Sequence, residues 1–420
     1  MERDGTMKGF YFQNGYLYCE NVKVRDICDT LQTPFYLYSR AALEEQYTML
    51  DEAFKDIEHM ICYAVKACSN VEVVRLLGKL GSGADIVSGG ELYRALNASI
   101  EPRKIVYSGV GKTEEEMTFA LETGILMFNI ESEEELAVLD RVGERLGKKA
   151  GVALRINPDV DAHTHEKITT GKKENKFGIP FDQAVGLYQK IERMQNIMTM
   201  GIHFHIGSQI LKPDPFVAAA TRIRKLVLEL KNLGIPLTYL NIGGGFGIAY
   251  SDEKPKPIKE FWMALAPQIR DLDVTLLMEP GRYIVGNSAV LVTKVLYTKG
   301  TPQKKFIIVD SGMNDLIRPA LYNSYHAIHC ITPNNGKKES VDVVGPICES
   351  ADFFAHNRKM PVLKSGDFLA VMSAGAYGFS MASNYNSKPR PAEILVEGES
   401  HRIIRKRETY SDIIRQEIDR

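Results

Sequence analysis

Short apolar runs alternate with helical segments through the first two thirds of the chain. Eight runs rich in β-forming residues begin near Ile61, Gly83, Ile105, Met127, Gly151, Met200, Leu237 and Val274, and the first four are each spaced by 22 residues. Continuous apolar runs are typical of parallel strands that are buried on both faces. Eight strand–helix units predict an α/β fold that closes into a (β/α)8, or TIM, barrel.

The segments between these runs repeat apolar residues at helical spacing. One of them, TEEEMTFALETG, opens with the Thr-x-x-Glu pattern of a capping box. The alternative fold is a doubly wound open sheet, which places a G-x-G-x-x-G motif at its first strand–helix turn. Here the glycine cluster follows the seventh strand instead, so the barrel is favoured.

Strands without intervening helices are predicted at both ends of the chain. Gly9–Asn21 indicates a hairpin around an Asn-Gly turn, and Pro34–Ser39 a further strand, before a helix over Ala41–Lys55. After the barrel, strands are expected at Tyr283–Gly300, Lys305–Asp310, Val341–Val344, Asp367–Ser373 and Ala392–Val396. We therefore expect residues 36–282 to form the barrel, and residues 1–35 and 283–420 to form a mainly β domain.

Composition excludes several classes of partner. The 420 residues carry 52 basic and 53 acidic side chains. The net charge is therefore too small to attract nucleic acid or an anionic membrane. No run of 18 apolar residues and no signal pattern occurs, so a cytoplasmic location is predicted. The six cysteines lack C-x-x-C pairs, which favours reduced thiols over disulfides or a zinc site.

Barrel enzymes place their active sites at the C-terminal ends of the strands. Lys66 ends the first strand in YAVKA, where it is either a packed stem with a solvated head or a Schiff-base lysine. The other polar or glycine positions at strand ends are Asp85, Ser88, Arg155, Asn157, His203, His205, Ser208, Gly243, Gly244, Gly245, Glu279 and Arg282.

Several of these positions suggest a specific chemistry. The glycines after strand seven are either turn residues or a phosphate cradle, which Arg282 after strand eight would complete. His203 and His205 are either a metal pair, for which matching ligands are lacking, or include a ring that stacks on a planar cofactor. Glu279 is either an ion-pair partner or the carboxylate that keeps a pyridine nitrogen protonated. Together these groups are the ones that pyridoxal 5'-phosphate requires, and no metal is predicted.

The motifs resemble the alanine-racemase-like class of pyridoxal-phosphate enzymes, and within it the diaminopimelate decarboxylase family. The similarity runs from FYFQNGYLYCENV through YAVKA, ADIVSGGEL, ENKFGI, HFHIGSQI, NIGGGFG and MEPGR. It continues into DSGMNDLIRPALY, VVGPICESADF and SAGAYGFSMASNYN, where ornithine and arginine decarboxylases are less similar. The resemblance implies decarboxylation of meso-2,6-diaminopimelate to L-lysine and CO2, the last step of lysine biosynthesis.

The resemblance also implies roles for individual residues. Lys66 would bind the cofactor covalently, His205 would stack on its ring, and Cys348 would donate a proton. The other implied cofactor contacts are Asp85, Arg155, Ser208, Gly243, Gly244, Gly245, Glu279, Gly281, Arg282 and Tyr377. The amino-acid substrate would be bound by Arg282, Arg318, Tyr322, Glu349 and Tyr377.

Cys348 and Glu349 would reach the site of a neighbouring subunit, which implies a homodimer with shared active sites. Composition alone favours a small buried apolar residue at Cys348, and Arg155 could simply pair with a carboxylate. His163–Lys176 is a polar, basic loop that could cover the site.

The alternatives for function are a decarboxylase of another basic amino acid, a racemase, and a non-catalytic regulator with the same fold.

Overall fold

The two ends of the chain and the middle of the chain belong to different compact units. The computed structural model describes residues 7–161 and 176–417. A β unit comprises Met1–Glu45, Ala249–Glu253 and Ile284–Arg420, and a barrel unit comprises Gln46–Ile248 and Lys254–Tyr283.

The β unit begins with the predicted hairpin, which is confirmed. Strands β1 (Phe10–Gln13), β2 (Tyr16–Cys19) and β3 (Val22–Lys23) form an antiparallel sheet. Asn14 and Gly15 both have positive φ, 52° and 79°, as a two-residue hairpin turn of type I′ requires. Helix α1 (Val24–Thr30), strand β4 (Phe35–Ser39) and helix α2 (Arg40–Ala53) follow.

The barrel unit contains the eight predicted parallel strands. Each strand pairs with the next around the ring, and β13 pairs with β5 to close it. A short strand, β10 (Ile179–Pro180), adds to the edge of β9. The barrel strands are β5 (His59–Ala64), β6 (Gly83–Ile86), β7 (Ile105–Tyr107), β8 (Met127–Ile130), β9 (Ala150–Asn157), β11 (Ile197–His203), β12 (Tyr239–Asn241) and β13 (Thr275–Met278).

Side chains from several strands fill the barrel interior. Cys62, Val106, Met127, Ala153 and Leu277 pack into one buried cluster, although they come from β5, β7, β8, β9 and β13. Apolar packing of this kind makes the interior a core rather than a pore.

Helices follow the barrel strands as predicted. Several begin with a side-chain cap: Asn70, Ser88, Thr113 and Ser132 each accept a hydrogen bond from a backbone N–H in the first turn. The capping box of Thr113 and Glu116 is confirmed, and Ser88 is explained as a helix cap. The helices are α3 (Val71–Lys79), α4 (Gly89–Asn97), α5 (Glu114–Thr123), α6 (Glu133–Leu146), α7 (Ala184–Ile191), α8 (Asp214–Asn232), α9 (Ile258–Ile269) and α10 (Arg282–Val285).

The rest of the β unit is a large mixed sheet. Its order is β18-β17-β15-β14-β4-β20-β21, and β19 pairs with both β14 and β16. The elements are β14 (Ala289–Gly300), β15 (Lys305–Val309), α11 (Arg318–Tyr322), β16 (Ile328–Cys330), β17 (Lys338–Val344), β18 (Phe353–Pro361), β19 (Phe368–Val371), β20 (Ala392–Glu397), β21 (Ser400–Arg405) and α12 (Tyr410–Ile413).

Two sequence-based boundaries need correction. The prediction assigned residues from 36 onward to the barrel, but Phe35–Ser39 pairs with β14 and β20 and so belongs to the large sheet of the β unit. The predicted strand Tyr283–Gly300 begins only at Ala289, because Arg282–Val285 is helical. Apolar residues satisfy both a strand and a buried helical turn, so the pattern did not separate them.

Among the described residues, no helix is both long enough and apolar enough to cross a membrane. The cytoplasmic location stays a prediction from the sequence.

A buried ion pair joins two elements of the barrel unit. Lys112 Nζ lies 2.6 Å from Glu135 Oε1, and their side chains are 1% and 8% exposed. The same ammonium donates to the backbone oxygens of Gly109 and Asn129, each at 2.7 Å. Burial raises the pKa of Glu135, and Lys112 opposes the rise. The cation is therefore required to compensate a buried carboxylate.

Replacing Lys112 with methionine should destabilise the protein strongly. The change leaves Glu135 buried without its cation, so we expect the free energy of unfolding in urea to fall by about 3–5 kcal/mol. Lys190→Met is the matched control, because it removes a Lys–Glu pair with Glu133 whose side chains are 54% and 58% exposed. It should cost less than about 1 kcal/mol. Equal losses in the two variants would contradict this account.

Candidate active site

The C-terminal ends of the barrel strands bring most of the predicted site residues together. The 3-10 turn Val65–Ala67, directly after β5, carries Lys66. Its Nζ donates to Oδ2 of Asp85 at 2.7 Å, and the Asp85 side chain is fully buried. Burial and the nearby Glu279 raise the pKa of Asp85, while Lys66 opposes the rise. The head of Lys66 is thus held by a buried carboxylate, although the side chain keeps 37% exposure.

Glu279, after β13, is buried and surrounded by hydrogen-bond donors. Its Oε1 accepts from Asn129 Nδ2 at 3.0 Å and from Asn241 Nδ2 at 2.6 Å, and its Oε2 lies 3.2 Å from His203 Nε2. Burial opposes ionisation, but interaction with His203, then with Lys66 and His205, holds the pKa of Glu279 well below its usual value. The site therefore contains an ionised carboxylate that is excluded from water.

The sequence analysis did not identify Asn129 and Asn241 as site residues, and it gave no role to His203. Both asparagines are fully buried in otherwise apolar strands, Met127–Ile130 and Tyr239–Asn241. A lone amide in a buried strand must find a partner, because an unpaired polar group there is costly. That isolated polar position was the signal available in the sequence.

His205 is held by the glycine loop. The N–H of Gly244 donates to Nδ1 of His205 at 3.1 Å, so the ring proton is on Nε2. Enclosure by the protein, followed by the nearby cations Arg155 and Lys66, lowers the pKa of His205 well below its usual value. The imidazole is therefore neutral and fixed in one tautomer, as a stacking ring would be.

The glycines after β12 allow a close approach of backbone segments. Gly243 and Gly245 have φ of 67° and 112°, which side chains disfavour. A Cβ at Gly244 would lie 2.0 Å from the backbone oxygen of Glu279. These glycines therefore serve both as turn residues and as a close-packed contact with the strand end that carries Glu279.

Only part of this loop is available for an anion. Gly243 N–H donates to Asn241 Oδ1 at 2.9 Å and Gly244 N–H to His205, whereas Gly245 N–H has no partner within the described part of the chain. Of the three glycines, Gly245 is therefore the one whose N–H remains available among the described residues. Close by in the barrel unit, the buried Arg282 contacts Ser208 Oγ through Nε at 3.3 Å and Nη2 at 3.1 Å.

Gly281 packs against the turn that carries Lys66. A Cβ at Gly281 would lie 2.8 Å from the Cβ of Ala67 and 3.1 Å from that of Ala64. A larger residue would displace the lysine turn. Gly281 therefore acts on the site through packing.

Arg155 has a carboxylate partner within the barrel. Its guanidinium donates to Glu131 Oε1 at 2.6 Å, and both side chains are less than 10% exposed. Glu131 Oε2 accepts from the backbone N–H of Gly178 at 2.8 Å, and the guanidinium lies 4.7 Å from the centre of the Phe177 ring. The carboxylate pairing considered from the sequence is thus present, and a contact of Arg155 with a cofactor stays a prediction.

The remaining predicted residues lie in the β unit. Arg318, the first residue of α11, is buried and donates to Nε2 of His326 at 2.9 Å, while its guanidinium lies 4.6 Å from the centre of the Tyr250 ring. Nδ1 of His326 lies 2.8 Å from the backbone oxygen of Met372, so Nδ1 carries the ring proton and Nε2 accepts. The sequence analysis had not singled out His326 or Tyr250.

Cys348 and Glu349 lie side by side on an exposed turn of the β unit. The backbone N–H of Cys348 donates to Asn386 Oδ1 at 2.8 Å, and Tyr385 OH donates to Glu349 Oε2 at 3.2 Å. Because Cys348 is exposed, its reading as a small buried residue is wrong. Tyr322 and Tyr377 are half-buried in the same unit, and Tyr377 has a left-handed φ of 56°.

The polar loop His163–Lys176 and the possible metal pair His203 and His205 are the remaining features considered from the sequence. Residues 163–175 of the polar loop lie outside the described residues. Across residues 7–161 and 176–417, no group of three or more His, Cys, Asp or Glu side chains is arranged to hold a metal ion. The two histidines considered as a metal pair instead have separate partners, Glu279 for His203 and Gly244 for His205.

Known proteins are similar to this chain in both sequence and fold. Residues 40–286 match the family model "Pyridoxal-dependent decarboxylase, pyridoxal binding domain". The diaminopimelate decarboxylase of Aquifex aeolicus is 47% identical over 412 residues, 97% of each chain, and that of Vibrio cholerae is 48% identical over 404 residues, 96% of this chain and 97% of the relative.

The crystal structure of the diaminopimelate decarboxylase from Helicobacter pylori, complexed with L-lysine, has a TM-score of 0.92 and 43% identity, covering 94% of this chain and 99% of that one. Identity of this extent over nearly the whole length confirms the resemblance that the motifs indicated. The chain belongs to the diaminopimelate decarboxylase family of pyridoxal-dependent decarboxylases.

Proposed function

We propose that this chain is a pyridoxal-phosphate-dependent carboxy-lyase that converts meso-diaminopimelate into L-lysine and CO2. The observation that carries the proposal is the pairing of Lys66 with a buried carboxylate at the same barrel rim as Glu279, a second buried carboxylate that accepts hydrogen bonds from Asn129 and Asn241. An amine that can bond to an aldehyde and a carboxylate that can hold a ring proton are the two groups that this cofactor needs from a protein.

The glycine loop and its neighbours fit the phosphate of this cofactor. The Gly245 N–H points to no other described group, and the Ser208 hydroxyl and the Arg282 guanidinium lie in contact with each other. Backbone N–H groups and guanidinium groups are the donors that phosphate prefers. We assign Ser208, Gly243, Gly244, Gly245 and Arg282 to the phosphate, with Gly281 beneath the lysine turn.

Pyridoxal phosphate, when bound, joins covalently to an amine and draws the electrons of the breaking bond between Cα and the carboxylate into its protonated ring. In this chain Lys66 supplies the amine, and Asp85 holds its Nζ. Glu279 holds a proton at the ring nitrogen, because a charged acceptor stabilises an N–H that faces it. His205, a neutral imidazole, would cover one face of the ring, and Arg155, which Glu131 holds in place, would contact the ring.

The substrate carries a carboxylate and an ammonium at each end, and we assign its distal end to the β unit. Arg318 suits the carboxylate because Arg binds carboxylates with two parallel hydrogen bonds, and His326 and Tyr250 hold its guanidinium in place. Glu349 suits the ammonium, and we assign Tyr322 and Tyr377 to the substrate as well. The contact of Arg282 with Ser208 supports its phosphate role more than its predicted substrate role.

Cys348 would return the proton to Cα after CO2 has left. Its exposed turn is held by Asn386, and Glu349 beside it is held by Tyr385. An exposed thiol and carboxylate on a fixed turn are suited to enter the site of a second subunit. We therefore propose a homodimer in which each active site combines the barrel of one subunit with Cys348 and Glu349 of the other.

The cofactor proposal can be tested by absorbance. The purified protein with added pyridoxal phosphate should show a band at the edge of the visible region, because the conjugated bond to Lys66 absorbs there. Lys66→Ala should abolish the band, while Lys55→Ala, which changes an exposed lysine in the turn after α2, should retain it. A wild-type protein that gains no such band would refute the cofactor assignment.

Substrate choice can be tested by CO2 release. We expect kcat/KM for meso-diaminopimelate to exceed that for ornithine or arginine by at least about 100-fold, because an unfilled carboxylate site leaves buried polar groups unpaired. Arg318→Met should raise KM for diaminopimelate and leave the slow ornithine reaction unchanged, since ornithine lacks the distal carboxylate. Preference for ornithine in the wild-type protein would favour the alternative decarboxylase.

Shared active sites can be tested by mixing variants. Lys66→Ala and Cys348→Ala should each turn over slowly, and Cys348→Ala should keep the absorbance band. After subunit exchange, half of the dimers are mixed and each carries one complete site, so activity should recover to about a quarter of wild type. Cys28→Ala is the control cysteine of the β unit and should not affect the rate. No recovery after confirmed exchange would place both residues in one chain's site.

A further inference from the structure

The two carboxylate oxygens of Glu279 accept hydrogen bonds from different numbers of donors. Oε1 accepts from Asn129 on β8, from Asn241 at the end of β12 and, at 3.5 Å, from the Ser108 hydroxyl. Within the described part of the chain, Oε2 is contacted by His203 alone. A carboxylate can accept about four hydrogen bonds, two at each oxygen. Oε2 is therefore the oxygen with an acceptor direction still available.

The hydrogen-bond pattern determines how Asn241 is oriented. Its Oδ1 accepts from the N–H of Gly243 at 2.9 Å, so its Nδ2 must be the group that faces Glu279. Asn241 and Asn129 are both fully buried. Because the amide of Asn241 cannot exchange donor for acceptor, it holds Oε1 in a fixed position.

His203 holds the other oxygen through a defined tautomer. Its Nε2 faces a carboxylate at 3.2 Å and must carry a proton to bond it. Its Nδ1 is buried and has no hydrogen-bond partner among the described side chains and backbone. A second proton there would bury an N–H without an acceptor, which costs the full desolvation of that group. Geometry thus favours a neutral His203 and leaves the negative charge on Glu279.

From this arrangement we propose that His203 is a positioning residue of the decarboxylase site. It holds Glu279 in its ionised form and directs the remaining lone pair of Oε2 to the ring nitrogen of the cofactor. The inference rests on the proposed function for the identity of that ring. His203 acts through Glu279 and needs no contact of its own with cofactor or substrate.

The other charged groups around Glu279 show why its donors matter. Lys66 favours the ionised form, while Asp85 is a second buried carboxylate whose pKa is raised in part by Glu279. Burial is the largest single influence, and it favours the neutral acid. Loss of the His203 donor removes an interaction that lowers the pKa of Glu279, whereas burial still raises that pKa. Glu279 then takes up a proton, so the ring nitrogen loses its charged acceptor.

The test compares two substitutions at His203. His203→Phe keeps the ring shape and removes the donor, while His203→Gln places an amide N–H near the position of Nε2. We expect the Phe variant to lower kcat for meso-diaminopimelate by roughly 10- to 100-fold with KM nearly unchanged, because a hydrogen bond to a charged group is lost. The Gln variant should recover most of the rate.

A double-mutant comparison separates positioning from general packing. On a Glu279→Gln background, His203→Phe should have no further effect on kcat, since the carboxylate through which it acts is gone. An equal further loss on that background would overturn the proposal. So would a Gln variant as slow as the Phe variant. If the Phe variant does not fold, His203→Leu provides the same comparison.

Infrared difference spectra report the state of Glu279 without any turnover. Each full-length protein, with and without pyridoxal phosphate, is compared with its Glu279→Gln counterpart at neutral pH. A protonated-carboxyl band should appear for His203→Phe and be absent from the wild type and His203→Gln. Its absence from the Phe variant would overturn the inference. A wild type that binds no pyridoxal phosphate would overturn the proposed function, and the spectra without cofactor would still decide the role of His203.

Discussion

A buried carboxylate is the constraint on which the barrel rim depends. Glu279 is only 5% exposed, and removing an ionised group from water costs several kcal/mol unless hydrogen bonds replace the lost solvent. The donors come from β8, β11 and β12, which lie apart in sequence but end at the same rim. The parallel barrel makes this possible because every strand delivers its C-terminal residue to one place.

The same requirement connects the carboxylate to the glycine loop. Asn241 donates to Glu279 and accepts from Gly243, and the next N–H, of Gly244, donates to His205. One short segment therefore fixes an amide, a neutral imidazole and the approach of the loop to the strand end. Two N–H groups that could have faced an anion are used for this purpose. The loop positions neighbouring side chains as much as it offers donors to a ligand.

Arg155 and Arg318, two arginines among the predicted site residues, are held by partners of different charge. Arg155 pairs with the carboxylate of Glu131, which neutralises its charge inside the barrel. Arg318 is held by the neutral Nε2 of His326 and by the face of Tyr250. A neutral acceptor fixes a guanidinium without cancelling its charge, so the positive charge of Arg318 is not compensated by His326.

The apolar pattern by itself determined the barrel, the order of its strands and the polar residues at their ends. These features are local, since a buried parallel strand and an amphipathic helix each leave a periodic trace in the sequence. The motifs YAVKA, NIGGGFG and MEPGR also identified Lys66, the glycine loop and Glu279 as candidates, because such residues are unusual at buried strand ends.

Tertiary structure alone decided which groups are partners. His203 and Glu279 are 76 residues apart, and Arg155 and Glu131 are 24 residues apart. Neither pair can therefore be predicted from its spacing in the sequence. It also assigned Phe35–Ser39 to the large sheet and showed Cys348 to be exposed. Contacts across the barrel depend on strand register and side-chain direction, which periodicity does not encode.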